Sequence, residues 1–464
     1  MAIAEQFLNI FRIRELRRKV FITLGLLALC RVGVYVPLPN IDPVALQRYF
    51  AALQTGPGGG LLGMVNVFAG GALGKGTIFG LGIMPYISAS IIFQLLANAI
   101  PRLERLRKEG EAGRRKLNQY TRIATVFICL FQGIVVMRGL YGQFIFAGAQ
   151  ASWLQSTVVM MTNGFLLMAG TMFLMWIGEQ IDQHGIGNGI SLIIMVNILS
   201  RLPWAITSLA EHLSSTANQQ QAVLTIMVLI ALFVAVVVSI VYITQGERRI
   251  PVQQAKHVRG PKVYGGQRHY LPLRVNQAGV IPIIFARALL MFPAVIAMSV
   301  TRGSEDTSGI IYGFFNFVEK SLSPGGTLTF TYVVIYGLLI FFFCYFWTTV
   351  TFNPREMAEN LKDYGSFIPG IRPGKRTADY LEGIMNRVTL AGSFFLIVIA
   401  LMPMLVAEAL GVPQSVGGFY GGTSILIVVG VTLDLVRRIN EHLQMRRYSG
   451  FSAGSGGRRR SRRR

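Results

Sequence analysis

Charge is the first thing this chain lacks. Charged residues make up 14% of its 464 positions, against 52% hydrophobic, too few for the solvated surface of an ordinary soluble domain. Acids are scarcest, 21 against 44 lysines and arginines, leaving a formal net charge of +23. Only three cysteines occur, Cys30, Cys129 and Cys344, each inside an apolar run and far from the others, a spacing that excludes a disulfide framework and a zinc site. None of the five histidines falls in an apolar run. The only acids near span interiors are Glu408 and Asp434, both toward span ends. A proton- or sodium-coupled transporter needs ionisable groups near the midplane, so this scarcity argues against ion coupling. GIGNG at Gly185–Gly189 has no preceding strand and no lysine at the spacing of a phosphate loop. Neither a Ser/His/Asp set nor paired catalytic carboxylates can be assembled, so the chain reads as a non-enzyme without a cofactor or metal.

What is present is apolar sequence in membrane-length pieces. Ten runs read as spans, at 20–36, 77–100, 123–141, 157–178, 188–209, 222–244, 276–299, 329–352, 388–410 and 421–436. The first 19 residues are basic and amphipathic, and the run after them has no small-residue cleavage site, which argues against a cleavable signal peptide. Of the 44 lysines and arginines, 36 fall on one side: the N-terminal arm 1–19, the loops 101–122, 245–275 and 353–387, and the tail from Arg437. By the positive-inside rule that side is cytosolic, and so are both termini. Arg31 and Arg138 lie near outer span ends, where their heads can snorkel. Arg287 lies centrally in span seven and should face water, a polar partner or the bundle interior. The terminal RRRSRRR, Arg458–Arg464, reads either as a solvated end near anionic lipid or as a contact for ribosomal RNA.

The chain repeats itself. Gly82-Ile-Met-Pro85-Tyr-Ile87 in span two and Gly279-Val-Ile-Pro282-Ile-Ile284 in span seven share G-x-x-P-x-I. GISLII at Gly189–Ile194 and GTSILI at Gly422–Ile427 open spans five and ten. Two matches at corresponding places predict two five-span halves, 20–210 and 211–437, followed by a basic tail 438–464. Because five is odd, the second half enters the membrane inverted. The glycine–proline break predicts one helical piece ending and another beginning. Ile87 and Ile284 then lie ~15 and ~12 Å into their spans, near the midplane. Isoleucine is stiff at its first torsion, and a collar of such side chains can gate by dewetting. The same isoleucines can equally serve to pack helices. MVNVFAGGALGKG, Met64–Gly76, is apolar and glycine-rich but too short to span. It reads as an interfacial connector or as a small, mobile helix that stops a pore.

The segments GGALGKGTIFGLGIMPYISASIIFQLL, KEGEAGRRKLNQYTR, GEQIDQHGIGNGIS, LPLRVNQAGVIPIIFA, IPGIRPGKRT and GGTSILIVV together resemble the SecY family, channel subunits of the bacterial Sec protein translocon. The resemblance runs from the N-terminal arm through span ten. It implies an all-α, ten-helix clamshell in the cytoplasmic membrane that passes unfolded secretory chains and releases membrane segments sideways between spans two and seven. It further implies a pore ring at Ile83, Ile87, Ile190, Ile194, Ile284 and Ile427. A plug would run from about Asn66 to Lys75, including Val67, Phe68, Ala69, Gly70, Gly71, Ala72 and Leu73. Pro85, Ser88, Gln94, Pro282 and Arg287 would lie at the lateral gate. Arg248, Arg249, Lys262 and Arg372 would dock the SecA motor or a translating ribosome. Small membrane subunits like SecE and SecG, signal sequences, nascent polypeptides and anionic lipids are the implied partners, and a partner supplies the energy. Arg287 departs from the small residue usual there, Pro261 replaces an often basic residue, and the polyarginine tail is unusual. The competing readings are an inverted-repeat solute transporter and a membrane scaffold whose basic loops recruit partners.

Overall fold

The computed structural model describes residues 13–55, 63, 66–145, 153–215, 219–254, 257–259, 262–264, 268–303, 309–322, 330–412 and 422–456. The expectations for the first twelve residues, Met64, Val65, Pro261 and Arg458–Arg464 lie outside these. The chain divides into two compact units, one of residues 1–207, 295–316 and 427–464, the other of residues 208–294 and 317–426.

The first unit contains α1 (Arg14–Gly33), α2 (Pro43–Thr55), α3 (Met84–Ala99), α4 (Pro101–Lys108), α5 (Glu111–Val136), α6 (Trp153–His184) and α7 (Gly189–Leu199), with the start of α8 (Leu202–Ser215). Helix α5 runs into a π-helical turn, Met137–Tyr141. Helix α6 is the scaffold. Leu167, Leu174, Ile177 and Ile181 recur at helical spacing and are buried, and α1, α5 and α7 pack around it. The second unit contains α9 (Gln219–Gln245), then β1 (Glu247–Gln254), β2 (His257–Arg259), β3 (Lys262–Tyr264) and β4 (Arg268–Arg274). There follow α10 (Ile281–Gly303) and α11 (Ile310–Leu322), which pass into the first unit's residues, then α12 (Phe330–Thr351), α13 (Pro354–Asp363), β5 (Ser366–Phe367) and α14 (Lys375–Ala409). Helix α14 is the scaffold here, contacted by α9, α12 and α13. The last helix, α15 (Gly422–Gly456), begins in the second unit and continues in the first.

A helix overlies each of the ten expected spans. By length and composition six stretches among the described residues can cross a membrane, and a seventh if α3 and α4, bent by 103°, count as one span. Helices α1 and α15 fall short for visible reasons. Helix α1 begins with Arg14, Glu15, Arg17, Arg18 and Lys19, so only its remainder is apolar. Helix α15 does not stop at Val436. It continues through the charged residues expected to form a separate tail.

Two features differ from the sequence expectation. The chain is predominantly helical rather than all-α. Strands β4, β1 and β5 form one sheet, and β2 pairs with β3. Also, span two has no helical piece before its break. Residues 69–83 are hydrogen-bonded turns, and the helix starts only at Met84. Gly70, Gly71, Gly76 and Gly82 hold positive φ there, which a continuous right-handed helix cannot accommodate.

The repeat survives at the level of geometry. Gly82 and Gly279 have φ of 61° and 63°. Two residues after each, α3 or α10 begins, with Pro85 or Pro282 as its second residue, where the missing N–H costs no hydrogen bond. Four residues before each glycine a carbonyl lies against a glycine of the unit's scaffold. Cβ atoms built on Gly170 and Gly392 would stand 2.0 Å from the Ile78 oxygen and 2.5 Å from the Val275 oxygen. Gly189 and Gly422, the first described residues of α7 and α15, repeat the device. Cβ atoms there would lie 2.1 Å from the Gly178 oxygen and 1.7 Å from the Ile399 oxygen. These glycines are therefore packing surfaces. Alanine at Gly189 or Gly422 should destabilise its unit by about 1–3 kcal/mol, the usual cost of overpacking. Thermal unfolding in detergent checks this, with alanine at Gly383, which has open space around it, as the neutral control.

Candidate functional site

Residues 66–83 enclose the first candidate site. Only Asn66–Phe68 are helical, and the chain then closes in successive turns. Asn66 organises them: its carbonyl accepts from Gly71 N (2.7 Å) and its side-chain Oδ1 from Gly74 N (2.9 Å). Val67, Phe68, Ala69, Ala72 and Leu73 are buried. The segment is thus a packed turn rather than the loose helix that its glycines suggested. Its far end is pinned. Leu38 N donates to Gly76 O (2.8 Å), Ile78 N donates to Val36 O (3.1 Å), and Pro37 bridges Thr77 in antiparallel fashion.

Three side chains from distant helices hold its carbonyls. The Tyr141 hydroxyl, aimed from the π-helical turn, donates to Leu73 O at 2.6 Å. Asn197 Nδ2, from α7, donates to Phe68 O at 3.0 Å. Arg31, from α1, reaches Gly70 O with both terminal nitrogens at 3.5 Å and Asn197 Oδ1 at 3.4 Å. Arg31 thus turns inward, although its place near a span end allowed it to snorkel. No property of the glycine-rich stretch announced these partners. The available signal was an asparagine in the apolar stretch LIIMVNIL, Leu192–Leu199.

The segment leads directly to the isoleucines. A Cβ on Gly82 would contact Ala69 Cα at 3.3 Å, so Ala69 lies over the residue preceding Ile83. Ile83 and Ile87 are one turn apart, joined by Ile87 N to Ile83 O at 3.2 Å, and only 1% and 5% exposed. Ile190 and Ile194 are likewise one turn apart. The start of their helix is set by Asp182 Oδ1, which accepts from Gly189 N (2.7 Å), and by Asn188 Oδ1, which accepts from Ser191 N (3.0 Å). Ile194 and Ile427 are buried and Ile190 is half-buried. These five fall in the first unit, and Ile284, half-buried on α10, falls in the second.

Of the gate candidates, Pro85 and Pro282 are buried at their helix starts, and Ser88 and Gln94 are half-buried on α3. Gln94 Nε2 donates to Ser90 Oγ at 3.1 Å. Arg287 is 5% exposed within the second unit, where Tyr332 and Tyr336, two stacked rings on α12, are also buried.

The two basic loops meet in one body. Gln253 and Gln254 of β1 pair with Phe367 and Ser366 of β5, joining residues of loop 245–275 to loop 353–387. Beneath the sheet Ile250, Val252, Leu273, Phe352, Ile368, Leu381, Ile384 and Met385 form a core. The alternation of Ile250 and Val252 with exposed residues was a readable strand signal. Arg248 and Arg249 are exposed on β1. Arg372 is exposed in a turn held by Thr377 Oγ1 donating to its carbonyl (2.9 Å) and by Ile371 N donating to the carbonyl of the buried Ile368 (3.1 Å). The backbone of Lys262 lies in β3, opposite Arg259.

This arrangement defines a class: a helical membrane protein with repeated helix breaks, a buried glycine-rich segment at one of them, and a basic folded loop body. The SecY family model matches residues 77–436. Protein translocase subunit SecY of Streptomyces scabiei is 42% identical over 449 residues, covering 96% of this chain and 99% of that protein. The subunits of that name from Vibrio cholerae and Synechocystis are also 42% identical, over 441 and 457 residues, covering 94% and 96% of this chain and 93% and 96% of theirs. The chain belongs to the SecY family. Among solved structures, a SecY whose plug domain is described as stabilising the closed state of the translocation channel matches with a TM-score of 0.60 at 18% identity, covering 92% of each chain. Sec61 in a canine ribosome–channel complex matches with a TM-score of 0.56 at 16% identity, again covering 92% of each. These two establish the likeness of fold.

Proposed function

We propose that this chain is a protein-conducting channel, which passes unfolded secretory polypeptides across the bacterial cytoplasmic membrane and releases membrane segments sideways into lipid. The observation that carries the reading is the buried segment 66–82, whose Ala69 packs over Gly82 just before Ile83. In this reading the ten expected spans form two inverted halves. Ile83, Ile87, Ile190, Ile194, Ile284 and Ile427 are the apolar collar, and residues from about Asn66 to Lys75 are the plug. Spans two and seven part as the lateral gate, with Pro85, Ser88, Gln94, Pro282 and Arg287 on their facing lengths. A branched apolar collar closes to water and ions because wetting it is unfavourable, yet parts for a chain pushed through it.

Both termini and the basic loop body face the cytosol, in keeping with the charge bias. Arg248, Arg249, Lys262 and Arg372 there engage a SecA-type motor or a ribosome, which supplies the energy, and the ribosome-bound state of the Sec61 relative supports the second partner. Small SecE- and SecG-like subunits and anionic lipids complete the assembly. The relatives reported above are translocase subunits and protein-conducting channels, which lends the solute-transporter reading no support.

A photo-cross-linker at position 87 tests the reading, with a secretory chain arrested midway. Adducts should form with the arrested chain and be lost when it is released. Adducts only to this chain's own helices would mean that Ile87 is a packing residue and that no polypeptide passes it.

A further inference from the structure

We infer that Asn197, oriented by Arg31, is the latch that keeps segment 66–74 in its closed position; this rests on the reading of that segment as a plug. Asn197 is 2% exposed on α7, whose only other polar side chain is Ser191 in the first turn. A buried primary amide is costly unless both its ends are bonded. Here the oxygen accepts from Arg31 Nη1 at 3.4 Å and the nitrogen donates to Phe68 O at 3.0 Å. The arginine therefore selects the amide orientation that turns the donor toward the plug. Arg31 also bonds Gly70 O directly, so a single guanidinium engages both the latch and the segment it holds.

Gly70 is shaped for this contact. Its φ is +64°, and a Cβ there would lie 2.6 Å from Arg31 Nη1 and 2.7 Å from Asn197 Oδ1. Any larger residue would separate the segment from both side chains. The attachment at the far end differs in kind. The Gly76–Ile78 stretch is bonded backbone to backbone with residues 36–38, which fixes the segment's far end as a hinge. The acceptors on the near side are carbonyls reached by side chains, which can be released without unpairing that bridge. Opening at Asn197 and Arg31 thus frees the near side, residues 66–70, while Leu73 stays held by the Tyr141 hydroxyl and residues 76–78 stay bonded. One such hydrogen bond changes a two-state equilibrium by about fivefold.

The test uses full-length channels in planar bilayers, with resting ion conductance and hydrogen exchange of the 66–77 amides as the two readouts. Asn197→Leu keeps the branching and number of heavy atoms of the side chain and removes both bonds. It should raise resting conductance about fivefold and speed exchange at Gly71 and Gly74, with amides of α5 and α6 unchanged. Arg31→Met should act in the same direction. If Asn197→Leu does not assemble, Gly70→Ala tests the same contact from the plug side and should give the same two changes. Deleting residues 66–74 separates the possible failures. If deletion raises conductance and neither Asn197→Leu nor Gly70→Ala does, the latch is overturned and the plug stands. If deletion itself leaves conductance unchanged, the plug reading falls and the latch with it.

Discussion

Asparagine in place of Ile87 or Ile427 should raise the resting ion leak roughly thirtyfold and let precursors with defective signal sequences through. Both side chains are essentially buried, at 5% and 0% exposure. Burying an isoleucine-sized side chain contributes about 2 kcal/mol to the state that buries it, and the smaller, polar amide of asparagine forfeits that and favours water. Carried over to a closed–open equilibrium, about 2 kcal/mol is the thirtyfold factor. Single-channel conductance at rest, together with export of a reporter bearing a damaged signal, measures both halves of the prediction. The alternative, that these isoleucines only pack helices, predicts lower thermal stability with an unchanged leak. The two readings therefore separate on one pair of measurements.

Arg372→Glu should abolish most transport while leaving folding and membrane insertion intact. The side chain is exposed, and its turn is held by the Ile371–Ile368 backbone bond and by the Thr377 hydroxyl on the Arg372 carbonyl, neither of which uses the guanidinium. Reversal therefore alters the surface and not the turn. At a docking contact, leaving one buried partner charge opposed costs about 2–5 kcal/mol, so motor or ribosome affinity should fall about thirtyfold or more. Binding of each partner to the purified channel, at two salt concentrations, gives the number, and the loss should be smaller at high salt. Arg248→Glu, on a strand of the same loop body, provides the comparison. Wild-type transport by Arg372→Glu would remove this turn from the docking surface.

Much of the site was legible because its cause is local. G-x-x-P-x-I announces a left-handed glycine followed by a helix that starts with proline, and both copies adopt that geometry. The match of GISLII to GTSILI marks two helix starts whose glycines meet a neighbouring carbonyl. The first part of span two was misread for an equally physical reason. An apolar run with glycines has the composition of a helix, and the positive φ values that turn it into a packed loop depend on the surroundings.

The amino-acid order alone determined that this is a polytopic membrane protein, that it is internally repeated, and where its breaks fall. Apolar length, charge bias and glycine–proline spacing act within a single segment. Only the tertiary structure decided what holds segment 66–76, which loops share a sheet, and that Arg31 turns inward. Those contacts join residues far apart in the chain, 129 positions in the case of Phe68 and Asn197. Their acceptors are backbone carbonyls, which every residue carries and no sequence pattern distinguishes.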